Sequence, residues 1–178
     1  MSHRALTLAA AFAVATGSVV AAQEATPASG AARAPACSSA EHRQFDFWIG
    51  DWDVHQADGK LAGRNTITRV YGGCVLEERY QGARGYAGGS FNVYDASRDR
   101  WHQTWVDNSG LLLELDGQFQ NGRMVLKGET LDSTGAVLVQ RITWEPVQGG
   151  KVRQHWEQSA DAGGSWTTLF DGIYTRRC

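Results

Sequence analysis

The feature that most constrains this chain is its alternation. Beyond Trp48 the apolar residues recur mostly at every second position, and Gly, Asn, Asp and Ser interrupt them about every ten to fifteen residues. A period of two places successive side chains on opposite faces of a strand, and short turn-forming clusters between such runs are the mark of antiparallel strands joined as a meander. The turns read directly from the sequence. Asp58-Gly59, Gly72-Gly73 and Asn121-Gly122 are two-residue hairpin signals, and Asn108-Ser109-Gly110, Ser133-Thr134-Gly135, Gly149-Gly150 and Ala162-Gly163-Gly164 add further breaks. With looser breaks at 82–85 and 96–99 this makes nine turns, hence ten strands, near 51–57, 61–71, 74–81, 86–95, 100–107, 110–119, 122–132, 136–146, 150–160 and 165–177.

Ten hairpin-linked strands with almost no helical signal leave two problems, a sheet with unpaired edges and a face with nothing to cover it. Closing the sheet on itself solves both, so the expected fold is all-β, an antiparallel up-and-down barrel of about ten strands, with a curved open sheet as the alternative. A barrel much wider than eight strands cannot fill its interior with side chains alone, so a cavity of ligand size is expected.

The first residues do not belong to that pattern. A basic start at His3 and Arg4 leads into an apolar stretch from Ala5 to Ala15 and ends in Val20-Ala21-Ala22, which reads as a secretory signal over 1–22 cut after Ala22. Thr16, Gly17 and Ser18 interrupt the run, so it falls short of the ~20 apolar residues of a spanning helix. The segment 23–36, QEATPASGAARAPA, has no large apolar residue to bury and reads as a disordered linker. The folded unit is then 37–178, periplasmic or secreted, with no membrane span left after cleavage.

An oxidising compartment makes sense of Cys37, Cys74 and Cys178, whose spacing fits no zinc motif. Three pairings are possible. The first hairpin brings the start of strand 51–57 beside the end of strand 61–71, so Cys37 and Cys74 fall at one end of the barrel. We expect that bridge, with Cys178 free; barrel closure makes Cys37–Cys178 its competitor.

Composition excludes one class of partner. Seventeen Lys and Arg against nineteen Asp and Glu give a net charge of −2, without the basic surplus that nucleic-acid binding requires. Enzyme signatures are also absent: no Gly-x-Ser-x-Gly elbow, no His-Glu-x-x-His, no phosphate loop and no Cys-x-x-Cys. No cofactor or metal is implied, and an isolated histidine such as His102 on a strand reads as a surface residue.

Strand parity then nominates the interior. On 100–107 the larger face carries Trp101, Gln103, Trp105 and Asp107, against Arg100, His102 and Thr104 outside; on 150–160 it carries Val152, Gln154, Trp156 and Gln158. In the hairpin around Gly72-Gly73, Arg69 and Glu78 become diagonal neighbours on a face shared with Asn65 and Tyr80. Aromatic rings mixed with a few amides suit a cavity that grips an amphipathic molecule. The expected ligand-binding residues are therefore Asn65, Arg69, Glu78, Tyr80, Gln103, Trp105, Gln154 and Trp156. The leading expectation is a binding protein for a small hydrophobic or amphipathic molecule. The alternatives are an enzyme that uses an interior Glu78/Arg69 pair to move a proton, and a structural envelope protein with a packed interior.

Three segments carry a resemblance: FDFWIGDWDV (45–54), YGGCVLEERY (71–80) and NVYDASRDRWHQTWVDNSG (92–110). They resemble small exported bacterial proteins of the "domain of unknown function 1579" type. The resemblance covers most of the chain after Ala40 and implies a lipocalin-like or fatty-acid-binding-protein-like barrel, without an established activity. It also implies that a short helical turn around 45–49 plugs the barrel base, anchored by Trp48 and Trp52, and that Gly50-Asp51-Trp52 stands where a lipocalin has its opening Gly-x-Trp.

Overall fold

Ten antiparallel strands, each paired with its neighbours in the chain, close into a barrel in the computed structural model, which describes residues 35–177. They are β1 Gly50–Gln56, β2 Leu61–Val70, β3 Val75–Gly82, β4 Ala87–Asp95, β5 Arg100–Asp107, β6 Leu112–Gln120, β7 Arg123–Leu131, β8 Val137–Val147, β9 Lys151–Ser159 and β10 Thr167–Arg176. Each agrees with the alternation pattern to within two residues. The signal segment expected over 1–22, most of the linker expected over 23–36, and Cys178 lie outside the described residues. Among the described residues no helix is long and apolar enough to cross a membrane.

Closure comes from β1 pairing with β10, with Trp52 opposite Arg176 and Val54 opposite Tyr174. No edge is left for another chain to extend. The turns supply the chemistry that the strand twist needs. At Asn121 and Gly122 both residues have positive φ, 52° and 79°, the backbone of the hairpin turn whose twist matches its strands. The turn expected at Gly72-Gly73 is instead a single helical turn over Tyr71–Gly73. It leaves the register as expected, with Val70 opposite Val75 and Ile67 opposite Glu78.

An up-and-down barrel has two ends, and here they differ. Odd strands begin and even strands finish at the base, where two short 3-10 turns, Glu41–Arg43 and Asp46–Trp48, precede β1. These turns fold across the opening. Phe45, Trp48 and Trp52 are fully buried, Phe45 stacks on Trp48 at 4.8 Å between centroids, and Trp48 meets Trp144 at 5.3 Å. The Trp52 indole nitrogen donates to the Trp48 carbonyl at 2.9 Å, and the Arg176 guanidinium lies over the Trp52 ring at 4.4 Å. A disulfide joins Cys37 to Cys74, tying the segment that leads into the plug to the start of β3. Arg43 reinforces that tie by donating to the carbonyls of Cys37 and Gly73 at 2.9 and 2.7 Å. The expected plug, its two tryptophan anchors and the expected disulfide are all present.

Candidate functional site

The far end of the barrel is open. A cavity of about 300 Å³ runs inward from the ends of β1, β3, β5 and β9 and the starts of β2, β6 and β10, and its walls include Glu78, Tyr80, Gln103, Trp105, Gln154 and Trp156. Six of the eight side chains nominated by strand parity therefore meet in one place. Parity succeeds because these strands are regular: Gln103 pairs with Asn92 and with Leu115, so each inward residue on β5 faces an inward residue on either side.

The remaining two nominees sit elsewhere. Asn65 lies directly behind Glu78, buried, and donates from Nδ2 to the Glu78 carboxylate at 2.7 Å. Arg69 is not in the cavity. It follows the same inward parity as Asn65 and Ile67, but it comes so late in β2 that it has reached the base, where it forms an ion pair with Asp46 of the plug. The expected Arg69–Glu78 pair does not form. Sequence parity fixes a face but not a depth, and it could not anticipate that a carboxylate from the plug would reach Arg69 first.

The floor of the cavity is a hydrogen-bonded chain that ends at Glu78. Gln103 donates to the Asn92 carbonyl oxygen at 2.8 Å, Asn92 donates to the Ser90 hydroxyl at 2.8 Å, and Ser90 donates to Glu78 at 2.6 Å. On the other side Asn65 donates to Glu78 and, more weakly, to the Tyr174 hydroxyl at 3.3 Å. Tyr174 in turn donates to Gln154. Glu78 thus has only neutral donors around it. Burial pushes its carboxyl up to about 7, against the downward pull of the hydrogen bonds from Ser90 and Asn65. The same burial, together with the nearby Glu78 charge, raises Tyr80 and Tyr174 above their ordinary value.

The mouth is organised around Asp107. One carboxylate oxygen accepts from the Tyr86 hydroxyl at 2.7 Å and from the Trp105 indole at 3.2 Å, and the other accepts from the backbone and side chain of Ser109. Burial acts to raise the Asp107 carboxyl, but the hydrogen bonds from Ser109, Tyr86 and Trp105 outweigh it and hold the group well below the usual carboxylate range. Trp105 is packed against β4 at a point where only glycine fits: a Cβ on Gly88 would come within 2.4 Å of the Trp105 ring. The ring is therefore positioned by an absent side chain as well as by Asp107.

Sequence reasoning missed several lining residues. Trp144 and Tyr174 were within reach of the same parity argument. Tyr86 was too, at the start of the strand expected over 86–95, whereas Phe170 follows a shift of register between Thr168 and Phe170, where parity breaks, and Arg84 belongs to the β3–β4 turn, where parity carries no information. None of the described histidines lines the cavity, and His102 bonds to Asp116 at 2.9 Å and Thr104 at 2.9 Å on the outer face. Among the described residues no group of three or more His, Cys, Asp and Glu side chains is arranged to hold a metal ion.

No protein-family model matches this sequence, and no curated protein matches it significantly. The architecture speaks on its own terms: a closed ten-stranded antiparallel barrel, plugged at one end and open at the other, is consistent with the calycin or lipocalin-like superfamily.

Proposed function

We propose that the protein is an exported binding protein that holds a small hydrophobic or amphipathic molecule in the open end of its barrel. One observation carries this reading. The interior is sealed and packed at the base yet left with about 300 Å³ unfilled behind an aromatic mouth, a volume at the lower end of small-molecule sites. Packed interiors do not leave such space, since each unfilled volume forfeits contacts. The lining also has the expected make-up of a ligand site, broad aromatic surface with a few fixed polar groups.

Native mass spectrometry of protein purified from its own cell envelope tests the reading. The expected result is a population heavier than the bare chain by a small molecule and returned to the chain mass by organic denaturation; only the bare mass, from cells grown under several conditions, counts against it. Export is tested in the same preparation, where the proposed cleavage gives Gln23 as the first residue, and an intact Met1 or Ser2 start contradicts it. Kinship with the "domain of unknown function 1579" type is part of the same proposal and rests on the three segments of resemblance.

A second reading, an enzyme in which Glu78 moves a proton on a bound ligand, draws support from one fact: a buried carboxyl at about 7 is matched to acid–base work near neutrality. With Arg69 engaged at Asp46, Glu78 would act without it. That reading requires turnover that Glu78→Gln abolishes while ligand binding persists.

A further inference from the structure

Resting on the binding reading above, we propose that the occupant of the cavity is a hydrophobic amine, inserted with its protonated nitrogen toward Glu78 and its apolar body among Trp105, Trp156 and Phe170. The polar groups of the cavity are unequal. Five of the donors are spent within the protein: Tyr174 on Gln154, Gln103 on Asn92, Trp156 on Gln140, and both Trp105 and Tyr86 on Asp107. The acceptors are not. Glu78 is 4% exposed and lines the cavity, and its carboxylate accepts only from Asn65 and Ser90, about half of what two carboxylate oxygens take. Behind it the buried Asn65 Oδ1 has no hydrogen-bond partner among the described residues. The neutral donors that remain, Trp144 Nε1, the Tyr80 hydroxyl and the amide nitrogens of Gln56 and Gln154, carry no charge and do not set the charge of the ligand.

Among the described residues no basic side chain pairs with Glu78. Arg84 is the one basic side chain of the lining, and it stands in the turn beyond β3. From Glu78 to Gly82 the strand alone advances roughly 13 Å, so Arg84 belongs to the rim and Glu78 to the floor. A buried carboxylate without a counter-ion is costly and is met either by a proton or by a cation. Too few ligating side chains are grouped here for a metal ion, whereas an organic ammonium needs only one carboxylate and aromatic faces, which attract a cation through their quadrupoles. The empty site meets the demand with a proton, since burial pushes the Glu78 carboxyl up to about 7. An ammonium replaces that proton, so binding of the amine releases it. The other titratable groups facing Glu78, Tyr80 and Tyr174, are both raised and stay neutral near pH 7.

Isothermal titration of the whole chain with 1-naphthylmethylamine, 1-naphthylacetate and 1-naphthalenemethanol separates the possibilities. At about pH 8 the amine is expected to bind at least about tenfold more tightly than the acid, and Glu78→Gln to bring the two within about threefold while the alcohol changes little. In the wild type, amine affinity is expected to rise about thirtyfold between about pH 5.5 and about pH 8, with the alcohol flat and proton release visible as a dependence of the heat on the buffer. This second readout needs no variant to fold. An acid that binds as well as the amine, an amine preference that survives Glu78→Gln, or a flat amine profile overturns the assignment of an amine and leaves the binding reading standing. If none of the three probes binds, both are overturned.

Discussion

The base and the mouth of this barrel are built from the same residue types to opposite ends. At the base, aromatic rings interlock: Phe45 touches Trp48, Trp101 and Trp144 with centroids 4.8 to 5.6 Å apart, and a disulfide and an ion pair fasten the plug. At the mouth, Tyr86 and Trp105 are 6.4 Å apart and are held in place by hydrogen bonds to Asp107, leaving space between the walls. Large exposed apolar side chains also gather there, with Leu61, Val106, Leu112, Leu131, Val137 and Leu169 all at strand ends around the opening. Aromatic residues packed against one another make a core, whereas aromatic residues pinned by polar groups make a wall. On the proposed function, the base carries the stability and the mouth carries the recognition.

This division is open to attack at several points. The largest effect is expected at the plug: Trp48→Ala removes a fully buried indole from the middle of the aromatic cluster and should lower stability by about 3–5 kcal/mol in denaturant unfolding. Where enough protein stays folded, 1-naphthalenemethanol should still bind. Loss of the bridge comes next. Cys37 and Cys74 are 37 residues apart, so replacing both by Ser should cost about 3–4 kcal/mol in the chain-entropy account, again with little change in ligand affinity. A base variant that unfolds nothing but abolishes binding would erase the distinction between the ends.

Glu78 sharpens the comparison because it sits between them. Its folded value of about 7 lies above the ordinary 4.5, so the folded state holds the proton more tightly than the unfolded chain does. The associated stability is fully present below about pH 4.5 and is lost as pH rises through about 7. This group alone should account for about 3 kcal/mol of decline over that interval, and Glu78→Gln should flatten the profile there. Equal pH dependence in the two proteins would contradict the buried, unpaired carboxyl. The smallest effect is expected at the rim. Tyr86→Phe removes one hydrogen bond from a partly exposed hydroxyl to Asp107 and should cost about 1 kcal/mol or less, while weakening ligand binding by loosening the wall.

The sequence was legible where the chain is regular. Alternation and turn chemistry placed ten strands to within two residues, and parity brought Glu78, Tyr80, Gln103, Trp105, Gln154 and Trp156 to one interior. What parity lacks is a coordinate along the barrel axis. Asn65 and Arg69 share a face on β2, yet one supports the cavity floor and the other binds the plug. Irregular segments were equally opaque. The register shift before Phe170 and the turn carrying Arg84 follow no period, and those positions depend on packing that no local pattern encodes. The close approach of Trp105 to Gly88 is of the same kind, since a glycine in a strand announces room for something without saying what.

The seven tryptophans offer a direct test of whether the two ends divide the work. Each indole N–H gives its own proton–nitrogen NMR signal, and the chain has three at the base (Trp48, Trp52 and Trp101), two along the cavity wall (Trp105 and Trp156), and Trp144 between them, packed on Phe45 and Trp48 while lining the cavity. Titration with 1-naphthalenemethanol should move the Trp105 and Trp156 signals most and leave Trp48 and Trp52 in place. Movement confined to the base signals, or no movement of any of the seven at saturating probe, would contradict the assignment of recognition to the open end.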